Sequence, residues 1–242
     1  MHPSHNERPI VTDLNLDVIG KVRWNDSYVL TEQPNLWGDP PVPFVTTAAD
    51  YFAGDGAQTV LDLPVGDGRN LPELAERFST VVGADSSDNA IGIAAGRAAA
   101  AGYRNVLLLK ADVYATGFAD ASFDGVFCCD VLGHLQEPAR AIRELLRITR
   151  PGHHLMANVF ALEDSTRGVD MVPIGDETYL FDDRFYFRFY DKSAAKELVD
   201  EVEDAADLVA LEPVTWTEPP HEGYREYEHE HVSWLFTLRK HT

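Results

Sequence analysis

The stretch Val60-Leu61-Asp62-Leu63-Pro64-Val65-Gly66-Asp67-Gly68-Arg69-Asn70 reads as a strand that runs into a glycine-rich turn. Glycine lets the backbone come close to a ligand, and a helix that follows such a turn offers its free N–H groups. The carboxyl end of a strand is also where open α/β sheets bind ligands. Gly-x-Gly alone is equally a tight strand-to-helix turn with no ligand. Three carboxylates add chemistry. Asp62 lies just before the turn, placed for an amino group. Asp85 ends a second apolar segment, where an acid can accept both ribose hydroxyls, and Asp112 ends a third, where a side chain can face an adenine edge. A nicotinamide dinucleotide would want a further glycine at position 71, which is Leu.

A second group of polar residues stands near the C-terminal end: His221-Glu222-Gly223-Tyr224-Arg225, then His229-Glu230-His231. On a strand His229 and His231 share a face, as metal ligands or substrate contacts would. A metal site needs further ligands that the sequence does not place, so no metal is expected. Substrate contact through His221, Arg225 and His229 is the functional reading, with Arg225 pairing an acceptor carboxylate. A solvated loop, in which Arg225 relieves the repulsion of surrounding glutamates, is the plain one. Aromatic residues Tyr179-Leu180-Phe181 and Phe185-Tyr186-Phe187-Arg188-Phe189-Tyr190 form a lid or a strand pair with a core face. Trp24, Tyr28 and Trp37, beside the turn string Gly38-Asp39-Pro40-Pro41, cover a ligand or a sheet edge.

These residues need a scaffold. Residues 59–63, 81–85 and 106–109 read as short apolar strands, and 123–129 as a fourth. Between them lie helical patterns at Leu71, Leu74, Ala75, Phe78 and over 88–101. A helix with Pro138 in its first turn carries Ile142, Leu145 and Leu146 on one face. Pro151-Gly152 is expected to stop it, with a fifth strand over 154–160. Apolar strands alternating with helices indicate a parallel sheet covered on both faces. A helix through Ala195, Leu198, Val199 and Val202 follows the 161–190 connection, and strands are expected at 207–216 and 231–239. A terminal pair joined by a loop indicates an antiparallel addition to the sheet.

At this point the chain resembles the class I S-adenosylmethionine-dependent methyltransferases. Asp62-Leu63-Pro64-Val65-Gly66-Asp67-Gly68 is similar to their first motif. Asp85-Ser86, Ala111-Asp112-Val113, Ser122-Phe123-Asp124 and Ile148-Thr149-Arg150-Pro151-Gly152 follow in the family's order over 59–160. The resemblance implies an α/β, doubly wound, Rossmann-like seven-stranded sheet, mostly parallel with strand seven antiparallel. It places Asp62, Gly66 and Gly68 at the methionine end of S-adenosyl-L-methionine, Asp85 and Ser86 at the ribose, and Asp112 with Val113 at the adenine. Asp130 would lie beside the methionine, with Tyr28 and Trp37 as cover. His134 would face the acceptor as general base, or else cap or underlie the next helix. Pro64 departs from the family's glycine and removes an N–H.

Composition bounds what remains. The 242 residues carry 40 acidic and 20 basic side chains, a net charge of −20. Such a surface repels phosphate backbones and anionic lipid, so neither nucleic acid nor membrane is an expected partner. Cys128 and Cys129 are adjacent, which suits neither a disulfide nor a structural zinc site. Met1 to Arg8 lacks the apolar core of a signal peptide, and no run approaches membrane length. The expectation is a cytoplasmic single domain: a cover segment at 1–45, a cofactor core at 59–160, a cap at 161–190, and a helix with strands at 191–242. Its oligomeric state is open, a homodimer included. The expected activity is methyl transfer to a small molecule, as in secondary metabolism. The alternatives are a cofactor-binding protein without turnover and a relative that catalyses cyclisation.

Overall fold

A computed structural model describes residues 15–28, 37, 40–221 and 225–242. Met1–Arg8, Gly38-Asp39 and Glu222-Gly223-Tyr224 of the motifs above lie outside the described residues. Seven strands form one sheet: β1 (Thr59–Asp62), β2 (Thr80–Asp85), β3 (Val106–Lys110), β4 (Phe123–Cys128), β5 (Thr149–Phe160), β9 (Ala206–Glu218) and β10 (His229–Lys240). Their order is β3-β2-β1-β4-β5-β10-β9. The first five are parallel, and β10 runs antiparallel to both neighbours. That is the seven-stranded, mostly parallel sheet with an antiparallel strand that the sequence implied.

The sheet buries both faces because its central strands are apolar at consecutive positions. On one side Leu61, Val126, Ile142 and Leu145 pack together; on the other Phe52, Val60, Leu74, Phe127 and Met156 do. Helix α2 (Val45–Gly54), for which no expectation was drawn, covers the second side with α3 (Leu71–Arg77) and α4 (Asp88–Ala101). Ser87 caps α4 by accepting from the Ala90 N–H, and Gly102 at φ 76° ends it. On the opposite side α5 (Pro138–Ile148) buries Ala141, Ile142, Leu145 and Leu146. It ends at Ile148, earlier than expected, and β5 begins at once. Pro151 and Gly152 do not precede that strand. They sit in an irregularity within it, where Phe123 pairs with Thr149 but Gly125 pairs with His154, and Gly152 has φ 79°.

The aromatic stretches at 179–190 form the expected strand pair with a core face, and the 161–190 connection adds a third strand to it. The result is a three-stranded antiparallel sheet, β6 (Met171–Gly175), β7 (Thr178–Phe181) and β8 (Phe185–Arg188), followed by α6 (Lys192–Asp200). Phe160, Met171, Phe185, Phe187 and Phe189 make its core. Helix α1 (Leu16–Ser27) falls within the cover segment and packs Trp24 against Phe185 at 4.6 Å between ring centroids. The small sheet and α1 therefore close over the carboxyl ends of β1, β2 and β4. Among the described residues no helix is long and apolar enough to cross a membrane.

Candidate active site

The carboxyl ends of β1, β2 and β4 open into a cleft lined by Pro64, Val65, Gly66, Asp85, Ser86 and Asp130 at one end and by His134, Phe160, Phe187, Arg225, His229 and His231 at the other. A second hollow adjoins it through Trp24, Pro64, Ser86, Val131 and His134, and holds Lys21, Asp112 and Val113. Of the expected residues, Tyr28, Trp37, Pro64, Gly66, Asp85, Ser86, Asp130, His134, Arg225 and His229 line the cleft and Asp112 and Val113 the hollow beside it, whereas Asp62, Gly68 and His221 line neither.

The glycine turn divides its work. Gly66, at φ 53°, lies in the cleft, where a Cβ would come 3.1 Å from the Tyr28 hydroxyl. Its N–H donates to Asp85 at 3.0 Å, and the Ser87 N–H donates to the other Asp85 oxygen at 2.9 Å. Burial pushes the Asp85 carboxyl up to about 6, against the pull of those N–H groups. Gly68, expected at the methionine end, does not line the cleft. At φ 88° it lets α4 approach, since a Cβ there would meet the Ala94 Cβ at 3.1 Å. Asp62 also stands behind the wall. It is 0% exposed, and neither carboxylate oxygen has a hydrogen-bond partner among the described residues. Burial, with Asp85 nearby, holds its carboxyl well above the usual range. Pro64 occupies the wall itself, and the Leu63–Pro64 peptide is cis.

The cover is tied down by polar contacts. The Trp37 indole N–H donates to the Tyr28 hydroxyl at 3.0 Å, and the Trp37 backbone N–H donates to Asp67. Asp112 is paired with Lys21 of α1 and accepts the Tyr114 N–H. Asp130, at φ 54°, accepts from the Asn158 amide at 2.6 Å and faces Arg69 at 3.4 Å.

Arg69 was not singled out from the sequence, although it follows the glycine turn directly. It is 9% exposed and also reaches Glu218 at 2.5 Å. Glu218 accepts from the Trp216 indole at 2.7 Å and lies 3.3 Å from His221. Burial opposes its ionisation, yet His221, Arg69 and Trp216 outweigh that and hold the carboxyl at about 2. His221 itself is buried behind the wall, against Trp37 and His229. Arg225 is not on a solvated loop among glutamates. It is 3% exposed, with its guanidinium over the rings of Phe181 and Phe187.

His134 neither caps nor underlies α5. Its Nδ1–H donates to the Tyr186 carbonyl at 2.9 Å, which leaves the Nε2 lone pair as its available atom. Trp24, Phe160 and Phe187 surround the ring, and burial pushes its pKa down to about 4. His229 is held alike by the Tyr227 carbonyl and is likewise pushed by burial to about 4. His229 and His231 do share a face, with rings 4.7 Å apart. Among the described residues no group of three or more acidic, Cys or His side chains is arranged to hold a metal. Cys128 and Cys129 are free thiols, both buried.

Comparison with known proteins fits this geometry. Residues 61–157 match a methyltransferase domain model. A demethylmenaquinone methyltransferase of Clavibacter sepedonicus is 33% identical over 135 residues, 56% of this chain and 51% of that protein. The chain thus spans about half the length of the curated relatives it matches. Two solved structures share the fold along nearly the whole chain. One, described with the conversion of a disulfide bond into a thioacetal group during echinomycin biosynthesis, has a TM-score of 0.70 at 19% identity, covering 91% of this chain and 93% of its own. The other is the 1,6-didemethyltoxoflavin-N1-methyltransferase of Burkholderia thailandensis with bound 1,6-didemethyltoxoflavin and S-adenosylhomocysteine. Its TM-score is 0.66 at 17% identity, covering 100% and 99%. At such identities the likeness is one of fold.

The residues present fit S-adenosylmethionine. Asp62 is a buried acid whose oxygens have no hydrogen-bond partner among the described residues, just before a turn whose Gly66 faces the cleft. Asp85 offers a carboxylate to vicinal hydroxyls, and Asp112 stands one hollow away for an exocyclic amine.

Proposed function

We propose that this protein is a cytoplasmic enzyme that transfers the methyl group of S-adenosylmethionine to an oxygen or nitrogen atom of a planar small molecule. The observation that carries this reading is the continuity of the cleft. Cofactor carboxylates line one end, and the other end is walled by Trp24, Phe160, Phe187, His134 and His229. Apolar rings that flank two neutral imidazoles suit a flat acceptor with its own O–H or N–H donors.

When bound, the cofactor supplies a methyl group on a positively charged sulfur. The chain's own residues do the rest. Asp85 and Ser86 hold the ribose, Asp112 and Val113 the adenine, and Gly66 and Asp130 the methionine end, with Asp62 behind the turn. Tyr28, Trp37 and Pro64 close this half against water. His134 receives a hydrogen bond from the acceptor at Nε2, and Arg225 and His229 complete the acceptor wall; His221 supports it from behind. Positioning of this kind supplies much of the rate in a displacement. Relatives and neighbours of this fold carry names from quinone, toxoflavin and echinomycin biosynthesis, which supports a place in the making of a specialised metabolite.

Calorimetry with S-adenosylmethionine, followed by incubation of methyl-labelled cofactor with naphthols, hydroxyquinolines and purines, tests the proposal. Label on an acceptor is the expected result. Tight cofactor binding with no transfer to an acceptor that itself binds would replace it with the binding-protein reading. An altered but unlabelled product would replace it with the cyclisation reading.

A further inference from the structure

We infer that His231, oriented by the buried carboxylate of Asp164, is the base that takes the acceptor's proton, and that the methylated atom therefore carries one, as a hydroxyl or ring N–H does. The inference rests on the methyl-transfer reading above.

Asp164 lies just beyond β5, and its side chain is wholly buried. One oxygen accepts the Thr166 N–H at 2.9 Å and the Thr166 hydroxyl at 2.5 Å. The other accepts the Val232 N–H at 3.1 Å and His231 Nδ1–H at 2.8 Å. A carboxylate with four donors around it can only accept, so Nδ1 of His231 must carry the proton and Nε2 the lone pair. His231 lines the acceptor end of the cleft, which makes Nε2 the atom that a ligand meets.

Burial opposes ionisation of Asp164, but His231 and Thr166 outweigh it and hold the carboxyl below its ordinary range. A fixed negative charge therefore stands behind one cleft histidine. His134 and His229 have backbone carbonyls in that place, and their surroundings disfavour the cation. A carboxylate behind the imidazole sets its tautomer and stabilises the imidazolium that forms. Arg225, His134, His229 and Glu218 also line the cleft near His231, and Asp164 is the group that bonds its ring.

In the step itself, the acceptor oxygen or nitrogen forms a bond to the methyl carbon as the carbon–sulfur bond breaks. The electron pair of that bond stays on sulfur, and the acceptor's proton passes to Nε2 of His231. His134 then positions the acceptor and His231 removes the proton.

Two measurements test this. In the cofactor-free full chain, long-range ¹H–¹⁵N spectra report the tautomer and titration of each histidine ring. His231 should be the Nδ1–H tautomer, and Asp164→Asn should weaken that preference. With labelled cofactor and the best acceptor of the panel, His231→Gln should lower kcat by about 10²-fold or more at an unchanged cofactor Kd. Added imidazole should restore part of the rate to His231→Ala. His134→Gln should instead act mainly on the acceptor KM. An Nε2–H tautomer, or a His231→Gln variant within about threefold of the parent kcat, overturns the inference. If the parent chain neither binds cofactor nor transfers label, the methyl-transfer reading falls and takes the assignment of a base with it, while the spectra still report whether the Asp164–His231 pair exists.

Discussion

Asp85 holds the glycine turn by the Gly66 N–H while facing the place proposed for the ribose. Its carboxyl, raised by burial to about 6, retains a proton that the unfolded chain releases near 4. The folded state therefore binds the extra proton between those values, and this group's contribution to stability falls as pH rises from about 4 to about 6. Ribose hydroxyls need the ionised form to accept their bonds, so cofactor affinity should move the other way. S-adenosylmethionine should bind more tightly as pH rises from 5 to 7, with proton release visible by calorimetry in buffers of different ionisation enthalpy. An affinity flat over that range would show that Asp85 is not the ribose ligand. Asp85→Ala should weaken binding by about 1.5–3 kcal/mol, the value of a hydrogen bond to a charged group.

Between elements, the strongest tie at the site joins the turn after β1 to the end of β9 through Arg69 and Glu218, both almost wholly buried. Removing one partner of a buried pair leaves the other charge uncompensated, at about 3–5 kcal/mol. Because Asp130 still faces Arg69 at 3.4 Å, Glu218→Gln should lose up to that much in denaturant titration, and a loss under about 1 kcal/mol would mean that Asp130 and water carry the Arg69 charge between them. Nothing in the sequence joins these residues, which lie 149 positions apart. Local patterns, by contrast, were legible. The alanine-rich run gave α4 from its serine cap to its glycine end, and consecutive apolar residues gave the buried parallel strands. Strands β7 and β8 fall on the aromatic stretches read as a strand pair, whereas β6 was hidden because the turn that joins it to β7 uses Glu177 at positive φ, where glycine or asparagine would have marked it. Helix α1 has no clear apolar stripe; Lys21 and Asp17 hold it through Asp112, Tyr114 and Gln136. That Asp85, Ser86 and Asp130 line the cleft, with Asp112 in the hollow beside it, was legible because each lies at or just past the end of a strand. Asp164 and His231 were not paired, being 67 residues apart on a loop and on β10, the strand between β5 and β9.

Across the whole molecule, the surplus of 20 negative charges sets a field that treats cofactor and product differently. S-adenosylmethionine carries a sulfonium and an ammonium against one carboxylate, so it approaches as a cation. The demethylated product has lost the sulfonium charge and approaches as a neutral zwitterion. Clefts lined by one sign of charge raise the encounter rate of opposite charges, and Asp67, Asp85 and Asp130 line this one with Arg69 as a partial counterweight. Salt shortens the reach of that field from about 10 Å at 0.1 M to about 3 Å at 1 M. Raising salt between those concentrations should therefore slow cofactor association severalfold, while association of S-adenosylhomocysteine changes little. Stopped-flow quenching of Trp24 and Trp37, which line the cleft, would follow both ligands in one protein. Equal salt dependence for the two would show that the local Arg69 charge, and not the acidic surface, governs entry. A direct contact made only after docking would change dissociation alone, so the rate constant that responds to salt separates steering by the molecule from recognition by the site.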